Sequence, residues 1–266
     1  MSVEAGKAVE WLALRESLRF AKRHRRYLGI FAILYGRSLL HWREMRAARV
    51  GYAYLQLFDD YMDGDRPYAG SLDELAAATE AEWKHGTFAG ETVLSRLGAV
   101  FWKDLEGHAE GRRDVTALLQ AMHFDSQRRL QGLLLEESIL HAHLHRTFHH
   151  SVDILLVVSG LRTRAQEVPD LVKALAWCSV VRDFDEDVAV GLINLPEPVV
   201  RAARSRGVQL RTATPEVAEW LTAEKEKARE CLARSEGALS DLAKREPKAA
   251  KLLGVFHRSV EKYATR

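Results

Sequence analysis

Apolar side chains recur every three or four residues along almost the whole chain, and this spacing constrains the fold more than any other feature. The spacing places apolar groups on one face of an α-helix, and the helix-favouring residues Ala, Leu, Arg, Glu and Lys are abundant. No alternating strand pattern, Asn-Gly hairpin, linker or internal repeat interrupts the pattern. The sequence therefore predicts one all-α domain over residues 1–266, a helical bundle of roughly ten helices.

Capping residues, glycines and prolines mark where these helices should begin and end. The capping box Ser71-x-x-Glu74 starts one helix, and Gly86 provides its C-terminal stop. A break is expected over residues 107–111, with Asp114 capping the helix that follows. Further boundaries are expected at Gly132, Gly160, Pro169, Pro215 and Pro247.

The cysteine content and the longest apolar run bear on the cellular setting. Cys178 and Cys231 are the only cysteines and fit no metal-binding spacing, so we expect a reduced, cytoplasmic protein. The start of the chain shows no secretory signal. The longest apolar run, residues 27–35, is about half the length that spans a bilayer, so no transmembrane segment is expected, while peripheral membrane contact stays open.

Basic residues are concentrated in the first part of the chain. Residues 1–50 carry 11 Lys/Arg against 4 Glu. The charges are spaced around helices without interleaved aromatic groups, so we expect no nucleic-acid binding. Two interpretations stay open: a solvated helix face, or a phosphate-facing subset formed by Arg43, Arg46 and Arg49.

The first acidic cluster comprises Asp59, Asp60 and Asp63, at the end of an apolar stretch. On a helix, residues three and four apart lie on one face, so the three carboxylates gather there. Crowded like charges beside apolar groups repel one another and resist desolvation. Mg²⁺ relieves this conflict because it binds carboxylates, waters and phosphate oxygens. A solvated acidic turn is the alternative origin of the pattern.

The second acidic cluster comprises Asp183, Glu186 and Asp187, which again share one helix face. Arg182 is placed to pair with a phosphate or a carboxylate, and Asp185 should point into solvent. Facing each other across a bundle, the two clusters would hold several Mg²⁺ ions around one diphosphate. The metals would neutralise the leaving group as an allylic C–O bond breaks.

An allylic carbocation needs a cavity that excludes water and offers aromatic faces. Aromatic residues near the two clusters and on the neighbouring helices are candidates, although ordinary core packing is the alternative role for each of them. These residues are Tyr52, Tyr54, Phe58, Phe148 and Trp177.

A histidine-rich stripe lies between the clusters. His141, His145, His149 and Asp153 follow one another at four-residue spacing, along one face of a helix. His145 or His149 is a candidate base, since histidine accepts a proton near neutral pH. A transition-metal site at His141 and His145, or plain polar packing, are the other interpretations.

The stretch from Arg182 to Pro196 resembles the second aspartate-rich motif of squalene and phytoene synthases, Arg-Asp-x-x-Glu-Asp followed by Gly-Arg-x-Tyr-Leu-Pro. Residues 52–63 resemble the first motif, and Met122-x-x-Asp125 with Arg128-Arg129 resembles a stretch between the two. The resemblance implies an isoprenoid-synthase bundle with a central active-site cavity and Mg²⁺-dependent prenyl transfer. It also implies the metal ligands Asp59, Asp60, Asp63, Asp183 and Asp187.

Some residues differ from the squalene and phytoene synthase motifs, and these differences bear on which molecule accepts the prenyl group. Gln56 replaces the arginine expected before the first aspartates, and the Gly-Arg-x-Tyr of the family becomes Gly191-Leu-Ile-Asn194. These changes remove groups that would manage a second diphosphate. We therefore expect a hydrophobic or aromatic, carbazole-like acceptor, as in similar proteins of bacterial natural-product pathways. Head-to-head condensation of two prenyl diphosphates, terpene cyclisation and a non-enzymatic helical scaffold are the alternatives.

Overall fold

The structure is a computed structural model that describes residues 3–24, 28–38, 41–88 and 90–265. Within these ranges the regular structure is helical and contains no β-strand, which confirms the all-α prediction. The α-helices of the described residues are α1 Val3–Arg23, α2 Leu28–Ser38, α3 Arg46–Met62, α4 Leu72–His85, α5 Val93–Asp104, α6 Ala109–Gln131, α7 Glu137–Val158, α8 Pro169–Val190, α9 Glu197–Ser205, α10 Pro215–Arg245 and α11 Pro247–Ala264. Arg25 and Arg26 of the basic segment lie outside the described residues.

Most predicted helix ends are confirmed. The Ser71 hydroxyl accepts a hydrogen bond from the Glu74 N–H at 3.4 Å, and Gly86 ends α4 in the left-handed region with φ 69°. Left-handed glycines also follow α6 and α7, because a residue without Cβ adopts this conformation at no steric cost. Proline begins α8, α10 and α11, as expected for a first-turn residue whose N–H has no helical partner.

One predicted boundary was wrong. The helix α6 runs unbroken from Ala109, so Gly111 and Asp114 lie inside it rather than at its start. A Cβ on Gly111 would lie 3.1 Å from Cγ1 of Val157, so this glycine permits a close side-chain contact and does not break the helix. The helix α8 continues past Asp187 to Val190 and ends at Gly191, whose φ is 91°.

The chain divides into two compact units. The first consists of Met1–His123 and Val157–Gly160, and the second of Phe124–Leu156 and Leu161–Arg266. In the first unit, α3 packs against α1 and α5. A Cβ on Gly51 would come within 2.6 Å of the Phe101 ring, so the glycine allows α3 and α5 to approach closely.

The core of the second unit is formed by α8, α10 and α11, which contribute Leu171, Trp177, Leu232 and Leu253. A smaller apolar cluster joins Phe184 of α8 to residues of α9 and α10. Burial of this apolar face explains why α8 is mostly uncharged until its acidic end. The prediction of a single domain over residues 1–266 stays a prediction.

Among the described residues, no helix combines the length and the apolar content needed to cross a bilayer.

Candidate active site

The first acidic cluster lies at the C-terminal end of α3. Asp60 is only 6% exposed, whereas Asp59 and Asp63 are partly exposed. The Asp63 N–H donates to the Asp59 carbonyl at 2.8 Å, so the helical spacing persists through the cluster. The three carboxylates therefore belong to one turn of backbone, as the sequence spacing requires.

The environment of Asp60 explains how a carboxylate is kept there. Burial raises the pKa of Asp60, and the nearby Arg23 guanidinium, 2.7 Å from Oδ1, opposes that rise. The Arg66 N–H donates to the Asp60 carbonyl at 2.9 Å and fixes the backbone after α3. A cation therefore already neutralises the most buried carboxylate of the cluster, and a divalent metal would serve the same electrostatic need.

His24 and Asp65 are further candidate metal ligands that the sequence reasoning missed. His24 Nε2 lies 2.9 Å from Asp65 Oδ2, and one ligand atom from each of His24, Asp60 and Asp65 lies within 4.8 Å of the others. Asp65 follows Asp63 by only two residues, a spacing that does not place it on the same helix face, so the sequence gives only a weak signal for it. Nothing in the sequence pairs it with His24, because α1 and α3 meet only through packing.

Two of the three arginines in the predicted phosphate-facing subset, Arg46 and Arg49, have protein partners. Arg46 forms a two-point ion pair with Asp104, with Nε 2.9 Å from Oδ2. Arg49 is 1% exposed, pairs with Glu10 at 3.2 Å and stacks over Trp42 with its guanidinium 3.6 Å from the ring centroid. A phosphate group would have to compete with these carboxylates, so binding of diphosphate by Arg46 and Arg49 stays a prediction.

The aromatic candidates occupy different environments. Tyr52 is partly buried and meets Phe20 edge-on, with ring centroids 6.1 Å apart. Tyr54 is fully buried and accepts a hydrogen bond from the Trp83 indole N–H at 2.6 Å, which identifies it as a core residue. Trp177 is buried, and its indole N–H has no hydrogen-bond partner among the described residues.

The second acidic cluster lies near the C-terminal end of α8. Asp183 is 8% exposed, and Arg182 donates to both of its carboxylate oxygens, from Nε at 2.8 Å and from Nη2 at 2.6 Å. Asp187 is partly buried, while Asp185 and Glu186 are exposed. Arg182 thus pairs with a carboxylate, one of its two predicted partners, and both clusters contain a buried aspartate that is neutralised by an arginine.

Within the second unit, a chain of hydrogen bonds begins at Asp187. Asn194 donates from Nδ2 to Asp187 Oδ2 at 3.0 Å and accepts from Arg128 Nη1 at 3.2 Å. Arg128 also donates to Asp125 at 2.6 Å, and Asp125 contacts Nε2 of His143 at 2.9 Å. Sequence reasoning missed the roles of Asn194 and His143, because Asn194 is 66 residues from Arg128 and His143 is 18 residues from Asp125.

The candidate bases lie on α7. His149 Nε2 is 3.2 Å from the buried Asp153, whose other oxygen accepts the Ala165 N–H at 2.6 Å, so a fixed carboxylate orients this imidazole. Burial, assisted by the charges of His149 and Lys173, lowers the pKa of His145. A lowered pKa leaves the His145 ring neutral and able to accept a proton near neutral pH.

His141 faces α10. Its Nε2 lies 3.1 Å from Glu224, which also pairs with Lys227 at 2.6 Å. One ligand atom from each of Glu137, His141 and Glu224 lies within 4.8 Å of the others, so the metal-like grouping around His141 is completed by glutamates and does not include His145. The Lys227 ammonium, 3.4 Å from Glu137, already supplies a cation to this group.

No family model and no curated protein matches this chain, so the resemblance to squalene and phytoene synthases is not confirmed. Among solved structures, the chain is similar to an all-helical terpene synthase. This structure is the crystal structure of linalool/nerolidol synthase from Streptomyces clavuligerus, with a TM-score of 0.56 and 13% identity over 83% of this chain and 80% of that chain. At this identity the likeness shows the fold, which is the helical fold of isoprenoid synthases predicted from the sequence.

Proposed function

We propose that the chain is a Mg²⁺-dependent enzyme that ionises an allylic prenyl diphosphate and transfers the prenyl cation to an acceptor other than a second prenyl diphosphate. The observation that carries this proposal is the matched pair of buried aspartates. Asp60 lies near the C-terminal end of α3 and Asp183 follows the apolar stretch of α8, each beside an arginine, in a chain with the fold of a terpene synthase. A structural scaffold gains nothing from crowded carboxylates, whereas a site for divalent cations requires them.

The donor set fits Mg²⁺, which prefers carboxylate oxygens and keeps several waters. The proposed metal ligands are Asp59, Asp60, Asp63, Asp183, Glu186 and Asp187. Bound Mg²⁺ would neutralise the diphosphate leaving group. Arg23 and Arg182 supply a counter-charge to the two buried carboxylates before substrate binds, and Arg182 then becomes available to a phosphate oxygen.

The proposed acceptor is a hydrophobic, electron-rich aromatic ring. Asn194 stands where the resembling family has a tyrosine, and it bonds to Asp187 rather than adding a cationic or phenolic group for a second diphosphate. Ring attack on the prenyl cation leaves a proton to be removed. His149, oriented by Asp153, and His145, kept neutral by burial, are the proposed bases for that step.

A second candidate function is terpene synthesis, in which water or a double bond of the same prenyl chain captures the cation. The similarity to a linalool/nerolidol synthase favours this candidate. The ionisation step is common to both functions, and only the group that quenches the cation differs.

The test is incubation of the purified protein with dimethylallyl, geranyl, farnesyl and geranylgeranyl diphosphates, with Mg²⁺ or with a chelator, and with or without a carbazole acceptor. We expect metal-dependent pyrophosphate release and a prenylated aromatic product. Linear or cyclic terpenes formed regardless of the acceptor would establish the second candidate. Efficient formation of C30 or C40 hydrocarbons would refute both, and the absence of metal-dependent pyrophosphate release with every substrate would refute ionisation itself.

A further inference from the structure

Asn194 is the only asparagine in the 266 residues, and it lies in the connection between α8 and α9. Its side chain is 8% exposed and bridges two charged groups. Nδ2 donates to the Asp187 carboxylate at 3.0 Å, while Oδ1 accepts from the Arg128 guanidinium at 3.2 Å.

The charges on either side determine the orientation of this amide. Rotation by 180° would place the amide oxygen against the carboxylate of Asp187 and the amide N–H₂ against the guanidinium of Arg128, which removes both hydrogen bonds. Aspartate lacks the donor and leucine lacks both groups, so among residues of this length only asparagine satisfies the two partners. The hydrogen-bonded bridge between Asp187 and Arg128 therefore requires asparagine at position 194.

The other end of the bridge is anchored in the protein interior. Arg128 is 1% exposed and donates from Nη2 to the Ile193 carbonyl at 2.8 Å, which holds the backbone next to Asn194. Asp125 pairs with the same guanidinium and is contacted in turn by the buried His143. A buried charge with several partners is costly to move, so the position of Asn194 is rigidly set.

We propose that Asn194 is a positioning residue that holds the Asp187 carboxylate in its metal-binding orientation, with Arg128, Asp125 and His143 as its anchor. The inference rests on the proposed function, since Asp187 is there a Mg²⁺ ligand. A carboxylate offers about four acceptor positions, so one bond from Asn194 is compatible with coordination of a metal. Partners that orient a ligating side chain typically change metal affinity by about 10–100-fold when removed.

The experiment measures Mg²⁺ binding in the presence of inorganic pyrophosphate, by calorimetry on the intact 266-residue chain. Asn194→Leu should weaken Mg²⁺ binding by about 10–100-fold. Prenyl diphosphate turnover by this variant should recover at saturating Mg²⁺, because the ligand itself is retained. In the Asp187→Asn background, Asn194→Leu should have little further effect, because its target is already lost.

Thr163→Val is the matched control for general loss of stability. Thr163 is also buried in the second unit, where its hydroxyl donates to Glu246 at 2.7 Å, and it does not belong to the bridge. The control should lower the free energy of unfolding without changing Mg²⁺ affinity. Two results would overturn the positioning role of Asn194 while leaving the metal assignment intact. One is an Mg²⁺ affinity of Asn194→Leu equal to that of the wild type, and the other is additive losses of Mg²⁺ affinity in the Asp187→Asn/Asn194→Leu double variant. Absence of Mg²⁺-dependent pyrophosphate binding in the wild type would overturn both this role and the metal assignment.

Discussion

Arg23, the last residue of α1, places its guanidinium 2.7 Å from the carboxylate of Asp60 near the end of α3. The contact joins two helices whose residues are far apart in sequence, and it provides the buried aspartate with a counter-charge. Burial still raises the pKa of Asp60 despite this partner. The ionised form of Asp60 is therefore less stable in the folded protein than in water, and such perturbed carboxylates are frequent at functional sites.

We expect Asp60→Asn to lower turnover of a prenyl diphosphate by orders of magnitude, because the amide is a poor Mg²⁺ ligand. The variant should remain folded, since asparagine preserves the shape and can still accept a hydrogen bond from Arg23. Its melting temperature near neutral pH in the absence of metal should equal or exceed that of the wild type, because an ionised buried group is removed. Steady-state kinetics and thermal melting followed by circular dichroism measure the two effects.

Asp183→Asn should give the same loss, and Asp185→Asn is its matched control. Asp185 belongs to the same turn of α8 but is exposed. Near-normal turnover in Asp60→Asn and Asp183→Asn, or an equal loss in Asp185→Asn, would contradict the metal assignment.

Arg49→Leu tests whether a predicted diphosphate ligand has a structural role instead. Removal of this buried guanidinium leaves Glu10 without the ion pair and Trp42 without the stacking contact. Glu10 is 18% exposed and can still reach solvent, so the loss should be about 1–3 kcal/mol, as for a polar group left without its partner, and urea denaturation would detect it. A variant of wild-type stability with a raised KM for prenyl diphosphate would instead indicate direct binding by Arg49.

The pair His141–Glu224 should stabilise the protein in a defined pH range. The hydrogen bond to Glu224 raises the pKa of His141 above the ordinary value of 6.5. The contribution of His141 to the free energy of unfolding is therefore fully present below pH 6.5 and is lost as the pH rises through the raised pKa. Burial opposes ionisation of Glu224, but hydrogen bonds from His141 and Lys227 outweigh it and lower the pKa. The contribution of Glu224 is therefore present above 4.5 and is lost as the pH falls through the lowered pKa.

His141→Gln should consequently destabilise the protein by about 0.5–1 kcal/mol near pH 5.5, after allowance for solvent screening, and by less near pH 8.5. Urea denaturation at the two pH values measures the difference. His145→Gln is a control for which the opposite change in stability is expected. Because the pKa of His145 is lowered, protonation of this ring destabilises the folded protein as the pH falls. Replacement by glutamine should therefore raise the free energy of unfolding most at acid pH. Parallel pH trends in the two variants would contradict the assigned pKa shifts.

Tyr54→Phe should destabilise the first unit without affecting turnover. The Trp83 indole N–H donates to the Tyr54 hydroxyl at 2.6 Å, and both side chains are buried, so phenylalanine would leave the donor unsatisfied. Such a loss typically costs about 1–3 kcal/mol, which urea denaturation would detect. A strong fall in turnover at unchanged stability would show that Tyr54 contacts substrate.

The spacing of the aspartates was sufficient to predict which carboxylates share a turn. Asp59, Asp60 and Asp63 do lie on one helical turn, and Asp183 and Asp187 lie four apart on α8, because helix periodicity is a local property. The prediction of a break near Gly111 failed for the opposite reason. Gly111 lies within α6 and close to Val157, a residue remote in sequence, and such tertiary surroundings cannot be read from the local pattern.

The sequence by itself determined the all-α class, most helix ends and the two acidic clusters, since propensity, capping and periodicity act within a few residues. Only the tertiary structure decided the partners of those residues. Arg23 beside Asp60, Asn194 between Asp187 and Arg128, and Glu10 against Arg49 are pairings set by how helices pack. Charge and burial at a given position depend on these neighbours, and the chemistry of the candidate site depends on charge and burial.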